Sequence, residues 1–432
     1  MHRRQFLISS AAAGAAFSAS PNDTIRAACV GLRGRGRHHM ASWASMPGAE
    51  VAALCDIDES VLAARLKELE GQGRKRPAVY TDYRKLLEDK SIDVVSIATP
   101  NHWHALQTIW ACQAGKDVYV EKPCTHNMFE VRQIVAAARK YNRIVQQGSQ
   151  ARSSPALQDA MRQMREGLIG DVYMARGLCF KWRGSIRHAA SAPVPQGVDY
   201  NLWLGPAPVR EFSPNRFHYK WHWWWDYGNG DLGNQGIHEL DIARWGLGVR
   251  YPSNINAMGG HVMFDDDQET PNVLNIACEF NSGAAKKLMT FEVRHWMTNH
   301  EAGIHDSGAD PSNPNTIGNV FYGSKGYLAI DGYAKYQTYL GKEQQPGPSG
   351  NRGGNHFANF ASAVRSRNRR ELTAEIEEGA VSTAIVHLAN ISYRLGRTLN
   401  FDERTFRCVG DDEANRMFTR AYRAPFVVPA KV

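Results

Sequence analysis

The run 24–30, T-I-R-A-A-C-V, reads as a buried strand, and G-L-R-G-R-G follows it at once, from Gly31 to Gly36. A helix is expected over 38–45. A second strand over 51–55 then ends at Asp56, 20 residues past Gly36. No other feature constrains the chain as much as this order. A first glycine lets the chain turn sharply from strand to helix, and small residues let backbone approach a pyrophosphate. The free amides of the helix start then face that anion. An acid at the tip of the second strand accepts hydrogen bonds from ribose hydroxyls. Asp56 would repel a 2′-phosphate, and Ile57 and Asp58 offer it no cation, so NAD is expected over NADP. One departure stands out: the second glycine of the usual G-x-G-x-x-G is Arg33. Either Gly34 takes over the close approach or Arg33 caps a phosphate.

The alternation continues. Helices are expected over 60–71, 82–89, 105–114 and 127–141, with strands from 79 and over 92–98, 118–120 and 144–146. One strand ends in T-P-N-H-W-H, Thr99 to His104, and another in Glu121-Lys122-Pro123. Such alternation implies an α/β fold, a doubly wound parallel sheet with its site at the strand C-termini. From about 151 onward the alternation is lost. Strands are expected over 176–181, 274–280, 286–295 and 320–330, and helices over 156–167, 234–246, 356–367 and 375–395. The stretches 297–319 and 341–355, rich in Gly, Pro, Asn and Ser, read as long loops. The expected organisation is a leader over 1–20, a Rossmann domain over 24–150 and an α+β domain over 151–432.

Composition removes other classes. With 432 residues, 43% hydrophobic and 22% charged, the chain is globular and long enough for two or three domains. Its +8 net charge is spread along the chain, which argues for solvated faces and against a nucleic-acid partner. Seven cysteines without a C-x-x-C pair argue against a disulfide framework or cysteine zinc site. The leader runs from a basic start through an apolar region to small residues, and Arg3-Arg4 before Gln5-Phe6-Leu7 resembles a twin-arginine export signal. Cleavage near Ala19 or Ser20 gives a periplasmic protein that has met the export machinery and has no membrane anchor after processing.

G-x-x-G-R-G, A-T-P-N-H-x-H and E-K-P at these intervals resemble the glucose–fructose oxidoreductase, inositol dehydrogenase and rhizopine-catabolism (Gfo/Idh/MocA) family. L-W-L-G-P-A-P (202–208) and G-N-Q-G-I-H-E-L-D-I-A-R-W (233–245) extend the likeness to the second half. The resemblance implies an N-terminal Rossmann domain and a C-terminal domain with a large, mostly antiparallel sheet. Helix 375–395 would return against the Rossmann domain, and the chain would form a homo-oligomer, dimer or tetramer. It also implies that Lys122 sits beside the nicotinamide and the substrate hydroxyl. A partly desolvated ammonium there has its pKa lowered. Pro123 fixes the turn, with a cis peptide as one option, and Glu121 contacts the nicotinamide ribose. The family's second element is Asp-x-x-x-His. Here the histidine is His238, but the position four earlier is Asn234, which cannot ionise. Either His238 and Lys122 share the acid–base work or Asp231 compensates. Candidate cofactor contacts are Gly31, Arg33, Gly34, Arg35, Gly36, Asp56, Thr99, Asn101, His102, His104, Glu121, Lys122 and Gln150. Candidate substrate contacts are Arg152, Trp203, His222, Trp225 and Asp241.

The run 216–227, R-F-H-Y-K-W-H-W-W-W-D-Y, combines aromatic faces with Arg, Lys, His and Asp, which is what a sugar-binding surface needs. The same rings could equally pack a core or an interface. His218, His222 and Asp226 could approach one another, but nothing else supports a metal and none is expected. The expected function is a sugar or glycoside dehydrogenase, with NAD tightly bound and oxidation at a secondary hydroxyl, C3 as a guess. The rivals are an NAD-dependent glycosidase working by transient oxidation, an enzyme that oxidises one sugar while reducing another, and a non-catalytic module that retains NAD.

Overall fold

The computed structural model describes residues 24–283, 285–304 and 315–432; the expected leader, with Arg3 and Arg4, lies outside them. The first half alternates as β1 (Ile25–Val30), α1 (Arg35–Ser45), β2 (Ala49–Cys55), α2 (Glu59–Gly71), β3 (Ala78–Tyr80), α3 (Tyr83–Glu88), β4 (Val94–Ile97), α4 (Asn101–Gln113), β5 (Asp117–Val120), α5 (Met128–Lys140) and β6 (Val145–Gln147). The six strands form one parallel sheet in the order β3-β2-β1-β4-β5-β6. The order reverses between β1 and β4, and ligands of such sheets bind in the crevice at that switch. Local chemistry sets the helix starts. Asp58 caps α2 through the amides of Ser60 and Val61, Asp82 caps α3, and Asn127 caps α5. No side chain caps α1 or α4; backbone carbonyls instead take the amides of Gly36, Arg37, His102 and Trp103.

The second half follows as α6 (Pro155–Arg165), β7 (Val172–Lys181), α7 (Tyr200–Leu204), α8 (Ile237–Leu247), β8 (Asn254–Gly260), β9 (Val273–Ser282), β10 (Ala285–His295), β11 (Thr316–Gly323), β12 (Gly326–Asp331), β13 (Lys335–Leu340), β14 (Gln345–Asn351), α9 (His356–Ser366), α10 (Ile376–Leu395), β15 (Leu399–Asp402), β16 (Arg407–Cys408) and α11 (Asp412–Arg416). Ten strands run in the order β14-β13-β12-β11-β7-β10-β9-β8-β15-β16, antiparallel except for the parallel pair β7–β10. The fold is thus the α/β plus α+β arrangement that the pattern implied.

Several boundaries differ from the sequence reading. Helix α1 starts at Arg35, directly after Gly34, and α4 starts at Asn101, because Pro100 takes the cap position and T-P-N-H-W-H winds into the first turn. The single strand expected over 320–330 is a hairpin, β11 and β12, turning between Gly323 and Gly326. The expected loop 341–355 holds β14. Its Pro346 and Pro348 are tolerated because the strand is at the sheet edge. The loop expected over 297–319 gives its last residues to β11, and 305–314 lie outside the described residues. The helix expected from 234 begins instead as a π-turn, Leu232–Gly236, that runs into α8. All seven cysteines are buried and unpaired. Among the described residues no helix is long and apolar enough to cross a membrane.

Helix α10 ties the halves together. Glu375 at its cap takes both Arg139 nitrogens of α5, at 2.7 and 2.9 Å. Gly379 leaves room for Gln147 of β6, whose Cβ would stand 2.6 Å from a Cβ there. A buried ion pair fixes α8 beside it: Arg152 reaches both oxygens of Asp241, at 2.7 and 2.9 Å, and Ser382 of α10 donates to the same carboxylate at 2.6 Å. This corrects the assignment of Arg152 and Asp241 to substrate. Their polar atoms are spent on each other in the interior. A buried pair broken on one side leaves an uncompensated charge. Arg152→Ala is therefore expected to cost about 3–5 kcal/mol of unfolding free energy, read as a lower denaturant midpoint. Arg152→Met combined with Asp241→Leu should recover most of that loss.

Candidate active site

A cavity of about 470 Å³ runs across the strand ends from β3 to β5. At its centre Gly31 has φ +76°, and a Cβ there would stand 2.8 Å from backbone of Ala98 and Thr99. A Cβ on Gly36 would stand 1.6 Å from the Gly31 carbonyl oxygen, so the third glycine lets helix and strand pack closely. Gly34, also at positive φ, faces open space and precedes the uncapped start of α1. Arg33 does not fill that space: its guanidinium contacts His218 and lies 3.9 Å from Asp58. Asp56 accepts from the Leu32 amide at 2.6 Å and the Asp58 amide at 3.1 Å. Burial outweighs those bonds and pushes its carboxyl up to about 6, so it is ionised at neutral pH.

Asn101 lines the cavity at the start of α4, and its Oδ1 is buried without a partner among the described residues. With the glycine cradle and the uncapped helix start, that orphan acceptor fits a bound dinucleotide. Thr99 donates to Gln107 at 2.7 Å, and His104 sits between the carbonyls of Thr99 and Pro123, 2.7 Å from each. His102 points the other way, against the Trp203 carbonyl at 2.9 Å. Trp103 takes its place in the cavity wall.

At the β5 end Glu121 accepts from Arg35 at 2.7 Å and from His39 at 3.1 Å. Burial alone would raise its pKa, but Arg35 and His39 hold the carboxyl well below the usual range. Gln150 sets its amide against the same Arg35 guanidinium. Lys122, before a cis Pro123, donates from Nζ to the backbone oxygen of Asn234 at 2.5 Å. Burial lowers the Lys122 pKa, against the opposing pull of Glu121. Its loss of charge is thereby made easier.

The π-turn supplies the opposite wall. The Asn234 amide donates to Asp231 Oδ1 and to the Tyr219 hydroxyl, both at 3.2 Å. Arg183 holds both Asp231 oxygens at 2.6 and 2.9 Å, and His295 lies 2.8 Å from one of them. Burial alone would raise Asp231, but Arg183 and His295 keep it well below the usual range. Asp231 is therefore a locked anion and not a free base. His238 follows on α8, buried against Tyr333, with Nδ1 unpartnered among the described residues. Burial first, and then the Lys122 charge, push its imidazole down to about 3, so it is neutral at neutral pH.

The aromatic run divides. Trp223 and Trp224 are buried in a cluster with Trp203, Phe217 and Tyr227. His218, Tyr219, Trp221 and His222 line the cavity, with Trp221 stacked on His222 at 3.6 Å. Trp225 is turned away from it, beneath Arg394 at 5.1 Å. His218, His222 and Asp226 diverge, since Asp226 pairs with Arg210. Among the described residues no group of three His, Cys, Asp or Glu could hold a metal. Sequence reasoning missed Tyr219, whose oxygen accepts from Arg183 at 2.9 Å as well as from Asn234, which leaves its own proton to face the cavity. It also missed Phe426, which reaches the cavity from the C-terminal tail.

Residues 25–149 match the oxidoreductase-family NAD-binding Rossmann fold of Gfo/Idh/MocA proteins, and residues 171–272 and 344–428 match the C-terminal alpha/beta domain of the same family. The chain belongs to the Gfo/Idh/MocA oxidoreductase family. Like other family members it carries a nicotinamide-dinucleotide domain. A glycosyl hydrolase family 109 protein of Shewanella pealeana is 31% identical over 154 residues, 35% of this chain and 34% of that protein. The chain thus matches about a third of that relative's length. The aldose-aldose oxidoreductase of Caulobacter crescentus superposes with a TM-score of 0.63 at 20% identity, covering 88% of this chain and 100% of that one. The WlbA dehydrogenase of Chromobacterium violaceum, solved with NADH and UDP-GlcNAcA, gives 0.65 at 21% identity, covering 89% and 98%. At these identities the solved structures speak for the Gfo/Idh/MocA fold. In that fold Gly36→Ala is expected to weaken NAD binding by about 100-fold or more, by isothermal titration, since the added Cβ and the Gly31 carbonyl cannot share one place.

Proposed function

We propose that this protein is an exported, NAD-dependent enzyme that oxidises a secondary hydroxyl of a sugar or glycoside. One observation carries the reading. Lys122, half-buried at the strand tip beyond the glycine cradle, is held on the Asn234 carbonyl at the cavity wall. A bound nicotinamide supplies a two-electron acceptor at this end of the cavity. Lys122 Nζ in its neutral form takes the substrate hydroxyl proton, and burial favours that form. Asn234 holds the amine in place, while Tyr219 offers its proton to a substrate oxygen. His238 lies behind the residues that line the cavity, and its neutral imidazole sets no competing charge beside Lys122. Trp221 and His222 give an apolar face for a sugar ring. Exposed Met258 on β8 and Leu288 on β10, on the sheet face away from the core residues Ala257 and Met289, support a homo-oligomer built on the second sheet. The twin-arginine-like leader, which suits export of a folded protein with its cofactor already bound, supports a periplasmic location.

A second reading is glycoside hydrolysis, favoured by the likeness to the Shewanella glycosyl hydrolase. There the same proton transfer at Lys122 serves a transient oxidation that is later reversed. Aryl glycosides and free sugars, followed together by absorbance at 340 nm and by aglycone release, separate the two. A rise at 340 nm without aglycone supports the dehydrogenase, and aglycone without net absorbance supports the glycosidase. Neither signal, with NAD bound, points instead to an enzyme that oxidises one sugar while reducing another, or to a module that retains NAD, and Lys122→Ala on mixed sugars separates those two.

Lys122→Met is expected to lower kcat by about 10²–10⁴-fold while NAD affinity stays within about threefold. The cofactor preference rests on Asp56, whose carboxylate would accept from the ribose hydroxyls of NAD and repel a 2′-phosphate. Its pKa of about 6 in the fold means that the carboxylate is present above that pH and lost below it. NAD affinity should therefore fall as pH drops through about 6. Asp56→Asn should remove that dependence and narrow the gap between NAD and NADP.

A further inference from the structure

We infer that the C-terminal tail, through Phe426, completes an aromatic pocket for the adenine of the bound dinucleotide. This rests on the dinucleotide reading of the cavity and extends it to a segment far from the glycine loop in sequence. A dinucleotide with its pyrophosphate at the Gly31–Gly36 turn on β1 lays its two halves to either side. The nicotinamide half falls toward Lys122 on β5. The adenosine half falls toward Asp56 on β2 and the residues after β3, at the sheet edge.

Phe426 stands at that second end. The Arg84 guanidinium, just past β3, lies 5.4 Å from its ring centroid. Trp103 of α4 meets the ring edge-on at 5.3 Å, and Trp110 lies at 6.5 Å. All four residues line the cavity. Arg84 and Arg423 both lie over the Phe426 ring, Arg423 at 4.9 Å, and aromatic walls together with a guanidinium plane suit a purine, whose π face stacks on either. The tail is braced for this position. Arg423 donates to the Gly205 carbonyl at 2.9 Å and the Asn201 carbonyl at 2.7 Å, at the two ends of α7. Arg420 donates to the carbonyls of Asp226 at 2.8 Å and Pro206 at 3.2 Å. Phe426 itself is buried, so the bracing holds its ring as fixed wall.

The test is isothermal titration of NAD, ADP and nicotinamide mononucleotide into the full chain and into Phe426→Ala and Phe426→Leu. Thermal unfolding checks that each variant is folded. Phe426→Ala should raise the Kd for NAD and for ADP by about tenfold or more and leave that for nicotinamide mononucleotide unchanged, with Phe426→Leu between. A folded Phe426→Ala with unchanged ADP affinity overturns the inference. So does an equal loss for ADP and the mononucleotide, which marks a general loosening of the site. If Phe426→Ala does not fold, Phe426→Leu decides: weaker ADP binding supports the pocket and unchanged binding overturns it. Wild-type protein that binds neither NAD nor ADP removes the dinucleotide reading itself. Wild-type binding with unaltered variants removes only the role of Phe426.

Discussion

One hydrogen bond crosses from the first domain to the second at the point where chemistry is proposed. Lys122 Nζ, on the tip of β5, reaches the backbone oxygen of Asn234 in the π-turn before α8. The bond is useful because it joins elements that are already fixed. Parallel pairing with β4 and β6 holds β5, and α8 is held by the Arg152–Asp241 pair and by α10. A half-buried amine gains from an acceptor, and the Asn234 carbonyl in the widened turn supplies one. Loss of either anchor would leave the amine exposed to water or misaligned across the cavity.

The asparagine at 234 follows from the charges around it. Asp231 lies three residues earlier, 3.2 Å from the Asn234 amide nitrogen, and already carries a negative charge locked by Arg183 and His295. A second carboxylate at 234 would face it across that distance in a low dielectric, where like charges are costly. The amide donates to Asp231 and to Tyr219 at once, which a carboxylate cannot do. In this chain the fixed anion is Asp231, and the side chain at 234 is a donor that orients a tyrosine hydroxyl toward the cavity.

Much of the fold was legible because its signals are local. The glycine turn, Asp56 twenty residues on, and the alternation of the first half are each written in consecutive residues. The family resemblance added Lys122, whose surroundings no stretch of ten residues reveals. What stayed hidden depends on partners distant in sequence. Arg152 and Asp241 are 89 positions apart, so nothing local told that each satisfies the other. The run 216–227 has no periodicity because a 3₁₀ turn, His218–Trp223, aims successive side chains in different directions. Core and cavity therefore share one aromatic stretch. Edge strand β14 was missed because its prolines and glycines contradict strand propensity, and an edge tolerates them. Phe426 carries no motif at all. Its place is set by Arg420 and Arg423, which donate to the Pro206 and Gly205 carbonyls just after α7.

Burial also decides which group in and behind the cavity wall can exchange a proton. His222 and His238 are pushed by burial down to about 3 and stay neutral. Glu239, next to His238 on α8, is pushed by burial up to about 8 and is largely protonated at neutral pH. Glu121 and Asp231 remain ionised, but each is bound to arginine and held well below the usual range. Neutral groups of this kind do not draw the substrate proton, and locked anions cannot accept it without breaking an ion pair. Lys122 differs from all of them. Burial lowers its pKa while Glu121 pulls it back, so its two protonation states are brought closer in free energy than those of an ordinary lysine. A group so balanced, fixed by one carbonyl at the cavity wall, can take up a proton as a substrate hydroxyl loses one, and its neighbours need not change charge.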